Sequence, residues 1–355
     1  MAYGHIPKAK AKESLFMGDL RNNRTVIDEF AQSIVDERKQ LRIKRMSSLL
    51  VLAALVAGFG IAGQGFLSAA NLIAILNQLA IPLVLAIGAT FVIIIGGIDL
   101  SIEGLMGLTG TLTTLLLVNS KNDLNLGFGG ILAMLAVGAG IGFLNGFIQV
   151  KTKIPSFLLT FGMSSIAMGV TLIIYKGTPI EVRDQVFLSL AKSSFLGIPV
   201  LTWIAFALLA IAYVIQEYTA FGRYIYAIGS NEMIPRNVGI DVDRIKIIVF
   251  AFSGLCIGLA GILGASRLAW GDVSIGVGNL FPAITAVVVG GTPLSGGKGG
   301  VINTLVGALI VTILNNGLIL ASVDPVIVKG VNGLIILAAV GFSFDRGKKN
   351  AELNK

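Results

Sequence analysis

Charged residues, cysteine and histidine are all scarce in this sequence, and each scarcity excludes a class of protein. Only 13% of the 355 residues carry a charge, whereas 55% are hydrophobic. So few charges cannot cover a water-facing surface, which excludes the soluble enzyme classes. The one cysteine, Cys256, excludes a disulfide framework, and the one histidine, His5, lies in a polar tail and excludes most histidine-dependent catalysis.

Long uncharged stretches fill most of the chain. The longest runs from 46 to 98, and others occupy 126–150, 154–175, 197–216, 247–266 and 299–323. About 20 apolar residues cross the roughly 30 Å hydrocarbon core of a bilayer, so each stretch is long enough to span it. We predict an all-α fold, a polytopic transmembrane helix bundle of about ten spans, at residues 47–67, 72–95, 101–118, 127–149, 155–175, 199–217, 246–266, 279–292, 300–320 and 325–342.

The positions of the Lys and Arg residues orient this bundle. With the N-terminus inside, 21 of the 27 fall on cytoplasmic segments and 6 on the opposite side. Positive charge prefers the cytoplasmic side, so both termini are predicted to be cytoplasmic. The net charge of +8 therefore reports orientation, and no nucleic-acid partner is expected. The chain divides into a cytoplasmic extension at 1–46, a transmembrane domain at 47–343 and a cytoplasmic tail at 344–355.

The extension at 1–46 lacks the apolar run and cleavage site of a signal peptide, so we expect it to be retained. Apolar residues recur at helical spacing between 26 and 35, beside both acidic and basic residues. This pattern predicts an amphipathic helix at the membrane surface or against a partner. The alternative is a solvated tail that only anchors the orientation of the chain.

Asp99 and Glu103 are the notable charges of the apolar region. A carboxylate inside a bilayer is costly to bury, so it is a functional candidate. Four residues apart, the two would share one face of a helix and could bind a coupling ion. The alternative is structural: Asp99 caps the third span and Glu103 lies in its first turn, where the helix dipole favours anions. Since no histidine or cysteine is near them, neither a metal site nor a cofactor is expected.

Polar side chains within the other spans are few and form a candidate translocation pathway. Pro82 and Pro282 interrupt two of the spans. Broken helices often border a transport pathway, because their freed backbone groups must face protein or water. Polar residues in spans can equally join one helix to another, and that alternative stays open. The candidates are Asn77, Gln78, Thr90, Thr160, Ser164, Ser165, Thr285, Asn315 and Asn316.

The longest cytoplasmic connection, at about 218–245, carries a series of motifs. They are Gly222-Arg223-Tyr224, Ala227-Ile228-Gly229-Ser230-Asn231-Glu232, Gly239-Ile240 and Asp243-Arg244. In these the chain resembles the coupling loop of bacterial ABC permeases of the monosaccharide class, the ribose, xylose, galactoside and autoinducer-2 importers. Where that family usually has Ala-Ala, this chain has Ile234-Pro235. Further matches within 47–343 are Gly96-Gly97-Ile98-Asp99-Leu100-Ser101, Leu144-Asn145-Gly146, Thr160-Phe161-Gly162-Met163, Gly177-Thr178-Pro179-Ile180, Val289-Gly290-Gly291-Thr292-Pro293-Leu294-Ser295-Gly296-Gly297, Leu314-Asn315-Asn316-Gly317 and Lys329-Gly330.

The resemblance implies the membrane-spanning subunit of an ATP-driven importer in the bacterial inner membrane, and a small polyhydroxylated solute such as a monosaccharide. Two permeases would pair, as a homodimer or with a related second permease. Cytoplasmic ABC ATPase subunits would dock on the coupling loops, and an extracytoplasmic solute-binding protein would deliver the solute. The chain itself would not be an enzyme, since a separate subunit would hydrolyse ATP. The alternatives are an ion-coupled secondary transporter that uses Asp99 and Glu103, and a channel or interaction protein without an energy source.

The resemblance also assigns the segment that would dock the ATPase. Its residues are Gly229, Ser230, Asn231, Glu232, Met233, Ile234, Pro235, Arg236, Asn237, Val238 and Gly239. Within it we predict a short helix over 231–238, capped by Ser230 and bracketed by the two glycines. Pro235 removes a backbone donor and should limit the helix.

Overall fold

The structure, a computed structural model, describes residues 48–61, 63, 65–324, 326–328, 330, 331, 333, 334 and 337. The predicted extension at 1–46, the tail at 344–355 and much of the predicted tenth span at 325–342 lie outside these residues. The helices are α1 (Ser48–Ile61), α2 (Ala69–Ile94), α3 (Ile102–Leu115), α4 (Gly127–Thr152), α5 (Ser156–Tyr175), α6 (Gln185–Lys192), α7 (Val200–Tyr218), α8 (Ala220–Ser230), α9 (Met233–Asn237), α10 (Val242–Leu268), α11 (Leu280–Val289) and α12 (Val301–Leu320). The strands are β1 (Ile180–Glu181), β2 (Ser194–Phe195), β3 (Ile198–Pro199) and β4 (Trp270–Gly271).

The described helices form the predicted all-α bundle. Six of them, α2, α4, α5, α7, α10 and α12, have the length and composition to cross a membrane. The helices α3 and α11 have 14 and 10 residues, fewer than the roughly 20 that a helical span needs. Two short antiparallel ribbons, β1 with β4 and β2 with β3, are additions that the sequence did not predict.

Pro82 does not interrupt its helix, contrary to the prediction. The helix α2 is continuous over 26 residues with Pro82 inside it. From Leu79 to Ile94 every residue except Pro82 is buried, and α7, α10, α11 and α12 surround the helix. This packing maintains the helix where proline removes a donor. Pro282 does not interrupt its helix either, because it lies in the first turn of α11, where its missing N–H has no intrahelical partner to lose.

The helices α4 and α10 contact each other through their backbones. A Cβ atom added at Gly138 would lie 2.6 Å from the carbonyl oxygen of Gly254, and one at Gly142 would lie 2.9 Å from the Cα of Gly254. No side chain fits in such a space, so glycine is required on both helices. This close approach of small residues is the usual way for helices to associate where lipid supplies no hydrophobic driving force.

The span that contains α3 begins with an extended segment, residues 96–101, which lies along α5. The amide of Ile98 donates to Ser156 Oγ at 2.9 Å, and the amide of Leu100 donates to Thr160 Oγ1 at 2.8 Å. These side-chain acceptors replace the backbone partners that a helix would supply. The segment can therefore cross part of the bundle without helical structure.

The span that contains α11 is built in the same way and runs in the opposite direction. Its irregular segment, residues 271–279, contains a short 3-10 helix at Val273–Ile275 and starts with Gly271 against Thr114 at the far end of α3. It ends beside the first turn of α3, where Gly276 lies against the carbonyl group of Glu103 so closely that a Cβ atom would overlap it. The helix α11 therefore begins partway through the bundle.

The ends of the helices define two opposite faces of the bundle. The face that we call the α8 face carries α8, α9, the end of α2 and the loop 293–300. A hydrogen bond from Gly297 N to Ile94 O joins this loop to the end of α2. The opposite face, the ribbon face, carries β1, β4 and the end of α10. Every long helix runs between these two faces.

Candidate functional site

The candidate docking segment folds as two short helices on the α8 face. Thr219 Oγ1 accepts a hydrogen bond from the amide of Gly222 and caps α8, which ends at Ser230. The helix α9 is shorter than the predicted 231–238, and the predicted cap is wrong because Ser230 is still part of α8. Instead Asn231 Oδ1 accepts a hydrogen bond of 3.0 Å from the amide of Met233. The chain turns away from α9 at Gly239, whose φ of +82° favours glycine.

Salt bridges join α9 to the start of α10. Glu232 bonds Arg236 at 2.9 Å and Lys246 at 2.5 Å, and Arg236 also bonds Asp243 at 2.7 Å. Burial acts to raise the pKa of Glu232, but hydrogen bonds and charge from Lys246 and Arg236 outweigh it and hold the pKa below its usual value. The same partners of Arg236, first Asp243 and then Glu232, raise its pKa. The network fixes the orientation of α9.

Large apolar side chains stand exposed around this network. Met233 is 60% exposed, Ile234 62% and Val238 71%, whereas Pro235 is buried. In the Ile234-Pro235 pair, the proline therefore packs inward and the isoleucine points away from the bundle. An exposed apolar patch rimmed by charge is typical of a protein–protein contact.

A cavity of about 670 Å³ lies beside the docking segment. The sequence did not predict it, because about half of its wall comes from the end of α4 and the connection to α5, more than 75 positions earlier in the chain. Lys153, at a φ of +58°, makes the turn of that connection. The cavity is lined by Gln149, Val150, Lys153, Ile154, Pro155, Glu232, Arg236, Asp243 and Lys246.

The helix α8 is fixed to the ends of two spans. Gly229 packs against Ile94 O and Gly297 N, so it lies within a tight contact and does not form part of an open surface. Tyr226 Oη donates a hydrogen bond of 2.7 Å to Gly299 O. Burial, with the nearby charge of Glu217, raises the pKa of Tyr226, so the tyrosine keeps the proton that it donates.

Most of the candidate pathway residues bond to the fold itself. Thr90 and Thr304 share a hydrogen bond of 2.7 Å between α2 and α12. Ser164 Oγ accepts from the amide of Gly104 at 3.1 Å and thereby satisfies the first turn of α3. The remaining contacts of this kind are Thr160 to the amide of Leu100, Thr285 to Phe281 O, Ser165 to Phe161 O, and Asn316 to Asn71.

The candidates do not converge on one site. Asn77 and Gln78 are half-buried on α2, and Asn77 Oδ1 has no hydrogen-bond partner among the described residues. Asn315 is half-buried near the end of α12 and has a contact of its own. The candidates lie on four different helices at different depths, so packing explains most of their polarity.

Asp99 and Glu103 do not share a helical face, because Asp99 lies in the extended segment before α3. Asp99 is buried, and its carboxylate accepts hydrogen bonds from Ser101 N (2.9 Å), Ser101 Oγ (2.6 Å) and Ser253 Oγ (2.8 Å). Asn145 Nδ2 donates to Ser101 Oγ at 3.4 Å. The carboxylate thus joins the segment 96–101 to α10, and through Ser101 to α4.

Glu103 caps a helix other than its own. Its Oε1 atom accepts hydrogen bonds from Gly278 N at 2.9 Å and Leu280 N at 3.5 Å, at the start of α11. A carboxylate there satisfies amides that have no helical partner and lies at the positive end of the helix dipole. A partner 175 positions away cannot be identified from local spacing.

Comparisons with known proteins agree on the class of the chain. The family model "Branched-chain amino acid transport system / permease component" matches residues 71–340. The ribose import permease protein RbsC of Escherichia coli K12 is 37% identical over 302 residues, which cover 84% of this chain and 93% of that protein. The ribose import permease protein RbsC of Bacillus subtilis 168 is 36% identical over 84% of this chain and 92% of its own length.

A third relative is the L-arabinose transport system permease protein AraH of Escherichia coli K12, 33% identical over 86% of this chain and 91% of its own length. No solved structure matches the chain. The family model covers most of the chain, and six described helices can cross a membrane. The chain therefore belongs to the permease-component family of branched-chain amino acid transport systems, and it is a multi-pass inner-membrane protein.

Proposed function

We propose that this chain is the transmembrane subunit of an ABC importer that carries a monosaccharide or a similar polyhydroxylated solute. The relatives support this proposal, because the permeases named for ribose, D-allose and L-arabinose match this chain over about nine-tenths of their own length. The family model is named for amino acids, but the individual relatives are closer guides to the solute than a model that covers many permeases. An ion-coupled carrier finds no support in these names.

The α8 face is the cytoplasmic face in this proposal. Among the described residues, it carries Lys151, Lys153, Arg223, Arg236, Arg244, Lys246 and Lys298, against Lys121, Lys176, Arg183, Lys192 and Arg267 on the ribbon face. The positive-inside rule favours the more basic face as cytoplasmic, and the basic residues of 1–46 and 344–355 increase the bias if both termini lie there. We also propose about ten spans and cytoplasmic termini, as the charge pattern of the sequence predicts.

The docking segment, residues 229–239, receives a cytoplasmic ABC ATPase. Support comes from its exposed Met233, Ile234 and Val238 and from the charged network that holds α9 in place. A second permease, identical or related, completes the pathway, and an extracytoplasmic binding protein docks on the ribbon face. The permease does not hydrolyse ATP itself, because that reaction belongs to the separate ATPase subunit.

Reconstitution of the complete transporter tests the proposal. The permease, its ATPase and a panel of sugar-loaded binding proteins are combined in proteoliposomes, and ATP hydrolysis and uptake are measured together. We expect one loaded binding protein to stimulate hydrolysis and to drive uptake that depends on ATP. Uptake that needs an ion gradient and proceeds without ATP would contradict the proposal.

A further inference from the structure

The start of α11 lies near the middle of the membrane. Ser164 is the ninth of the 20 residues of α5 and bonds the amide of Gly104. At a rise of about 1.5 Å per residue, Ser164 lies about 12 Å from one end of α5 and about 17 Å from the other. Glu103 precedes Gly104, and α11 begins at the carboxylate of Glu103. The carboxylate is therefore near half depth.

This region is open on one side of the bundle. Val277 is 54% exposed and Phe281 58%, Gly278 between them is exposed, and Glu103 is only partly buried. The residues from Gly276 to Asn279 are not helical. Irregular backbone at membrane depth is tolerated where it faces protein or water, and a carboxylate facing hydrocarbon is costly. The open side is therefore unsuited to lipid.

Glu103 retains an unused acceptor in this opening. Its Oε1 atom bonds the amides of Gly278 and Leu280, whereas Oε2 has no hydrogen-bond partner among the described residues. An ionised carboxylate accepts only, so its partner must be a donor. Sugar hydroxyl groups are such donors, and the exposed ring of Phe281, in the first turn of α11, can cover the apolar C–H face of a sugar.

We propose that Glu103 is a solute-contacting residue of the translocation pathway, with its Oε2 atom accepting hydrogen bonds from sugar hydroxyl groups. The residues Val277, Gly278 and Phe281 form the pathway wall beside it. The inference rests on the proposed function, because it takes the solute class from there. One carboxylate offers few convergent hydrogen bonds, so contact is weak and brief, as passage through a pathway requires.

Thiol accessibility in the assembled transporter tests whether this side faces water. Cys256, the chain's only cysteine, is buried, so the unchanged chain supplies the background. Val277→Cys and Phe281→Cys are treated in proteoliposomes with MTSET, a cationic, membrane-impermeant thiol reagent. The matched control is Ile166→Cys, 62% exposed at the same depth but on the other side of α5 from Ser164.

We expect both pathway cysteines to react at least about tenfold faster than the control, because thiol modification follows access to water. D-ribose, D-allose or L-arabinose at high concentration should slow the reaction about threefold or more if the sugar exceeds its dissociation constant about twofold. Sucrose at equal osmolarity should not slow the reaction. Equal rates at positions 166 and 277, or protection by none of the three monosaccharides, would overturn the proposal. Slow reaction at all positions would also overturn it, because it would indicate that this side contacts the second permease.

Glu103→Gln in the Val277→Cys chain separates solute contact from capping. Glutamine keeps one oxygen for the amide of Gly278 and turns the other position into a donor. We expect an unchanged reaction rate without sugar and loss of protection by sugar. Unchanged protection would show that Glu103 is a cap only. These rates do not depend on ATP, so their failure is distinguishable from a failure of the transporter to use ATP.

Discussion

The backbone amide of Gly297 donates a 2.8 Å hydrogen bond to the carbonyl oxygen of Ile94, and Gly229 packs against both groups. Three elements meet there: the end of α2, the loop before α12, and α8. The largely buried helix α2 is thus in direct contact with the helix that leads to the docking segment. A displacement of α8 by a bound ATPase would reach two spans without an intervening side chain.

Gly229→Ala should disturb this contact. The added Cβ atom would overlap Ile94 O, and overpacking of this kind typically destabilises a protein by about 1–3 kcal/mol. We expect a lower melting temperature in detergent and less ATPase activity stimulated by the binding protein. Gly140→Ala is the control, since its Cβ atom meets nothing within 4 Å. Equal behaviour of the two variants would contradict the close contact.

Charge reversal within the salt-bridge network should weaken ATPase binding. Glu232→Arg with Arg236→Glu keeps this pair, but it sets the new guanidinium at position 232 against Lys246 and the new carboxylate at position 236 against Asp243. Like charges at these distances repel, so α9 should lose its fixed orientation. We expect about a tenfold or greater loss of co-purified ATPase, about 1.4 kcal/mol, with membrane insertion unchanged. Unchanged co-purification would count against docking on this segment.

The network should also show a pH dependence of known sign. The folded-state pKa of Glu232 is below its usual value of about 4.5, so its ion pairs stabilise the fold above that pH and cease to do so as the pH falls through the lowered pKa. The stability difference between wild type and Glu232→Gln should stay constant from about pH 7 to pH 5.5 and shrink below about pH 4.5. Because the Glu232 side chain is 39% exposed, we expect this difference in the free energy of unfolding to be less than about 1 kcal/mol. A difference that grows on acidification would be the wrong sign.

Replacing both intramembrane carboxylates separates an ATP-driven permease from an ion-coupled carrier. Asp99→Asn and Glu103→Gln each keep an acceptor oxygen but lose the titratable group. We expect uptake in proteoliposomes to continue with ATP when ionophores collapse all ion gradients, at a rate within about tenfold of wild type, because each new side chain keeps an oxygen for the hydrogen bonds of the fold and the contact of Glu103 with solute is weak. If uptake needs a gradient in the wild type and disappears in the double variant, the carboxylates carry a coupling ion.

The isolated permease should bind solute weakly. Most of the polar candidates bond to the fold, and Glu103 offers one spare oxygen to the open side. Without several convergent hydrogen bonds, we expect a dissociation constant of about 1 mM or weaker for ribose by calorimetry. Micromolar binding to the permease alone would point to a carrier-type site that the described residues do not form.

The sequence predicts the helical bundle well because hydrophobic length alone specifies it. The long helices α4, α5 and α12 begin and end within about three residues of the predicted spans. The prediction fails at Pro82, because tertiary contacts on every side of α2 keep the helix continuous through the proline. A local sequence pattern does not contain those contacts. It also fails at the spans that contain α3 and α11, since a non-helical apolar segment has the same composition as a helix.

The candidate site also shows that local sequence patterns do not predict contacts between distant parts of the chain. Glycine brackets and a polar start predict a short helix over 231–238, and α9 lies within that range, although it is shorter and Asn231 takes the place of Ser230. The partner of Glu103 at Gly278 was beyond prediction, because it depends on how two distant spans pack. Local capping rules describe a carboxylate's preference for a helix start, but they do not say which helix.

The glycine contact between α4 and α10 limits how the protein can change shape. Two helices whose backbones touch at Gly138, Gly142 and Gly254 cannot slide without collision, so they should move as one rigid body. Opening and closing must then come from elements outside this pair. The half-length helix α11 is in a similar backbone contact with α12, because a Cβ atom added at Gly307 would overlap Ala286 O and one added at Gly290 would overlap Asn303 O. We expect alternating access to be a tilting of α11 and α12 together against a fixed frame of α4 and α10.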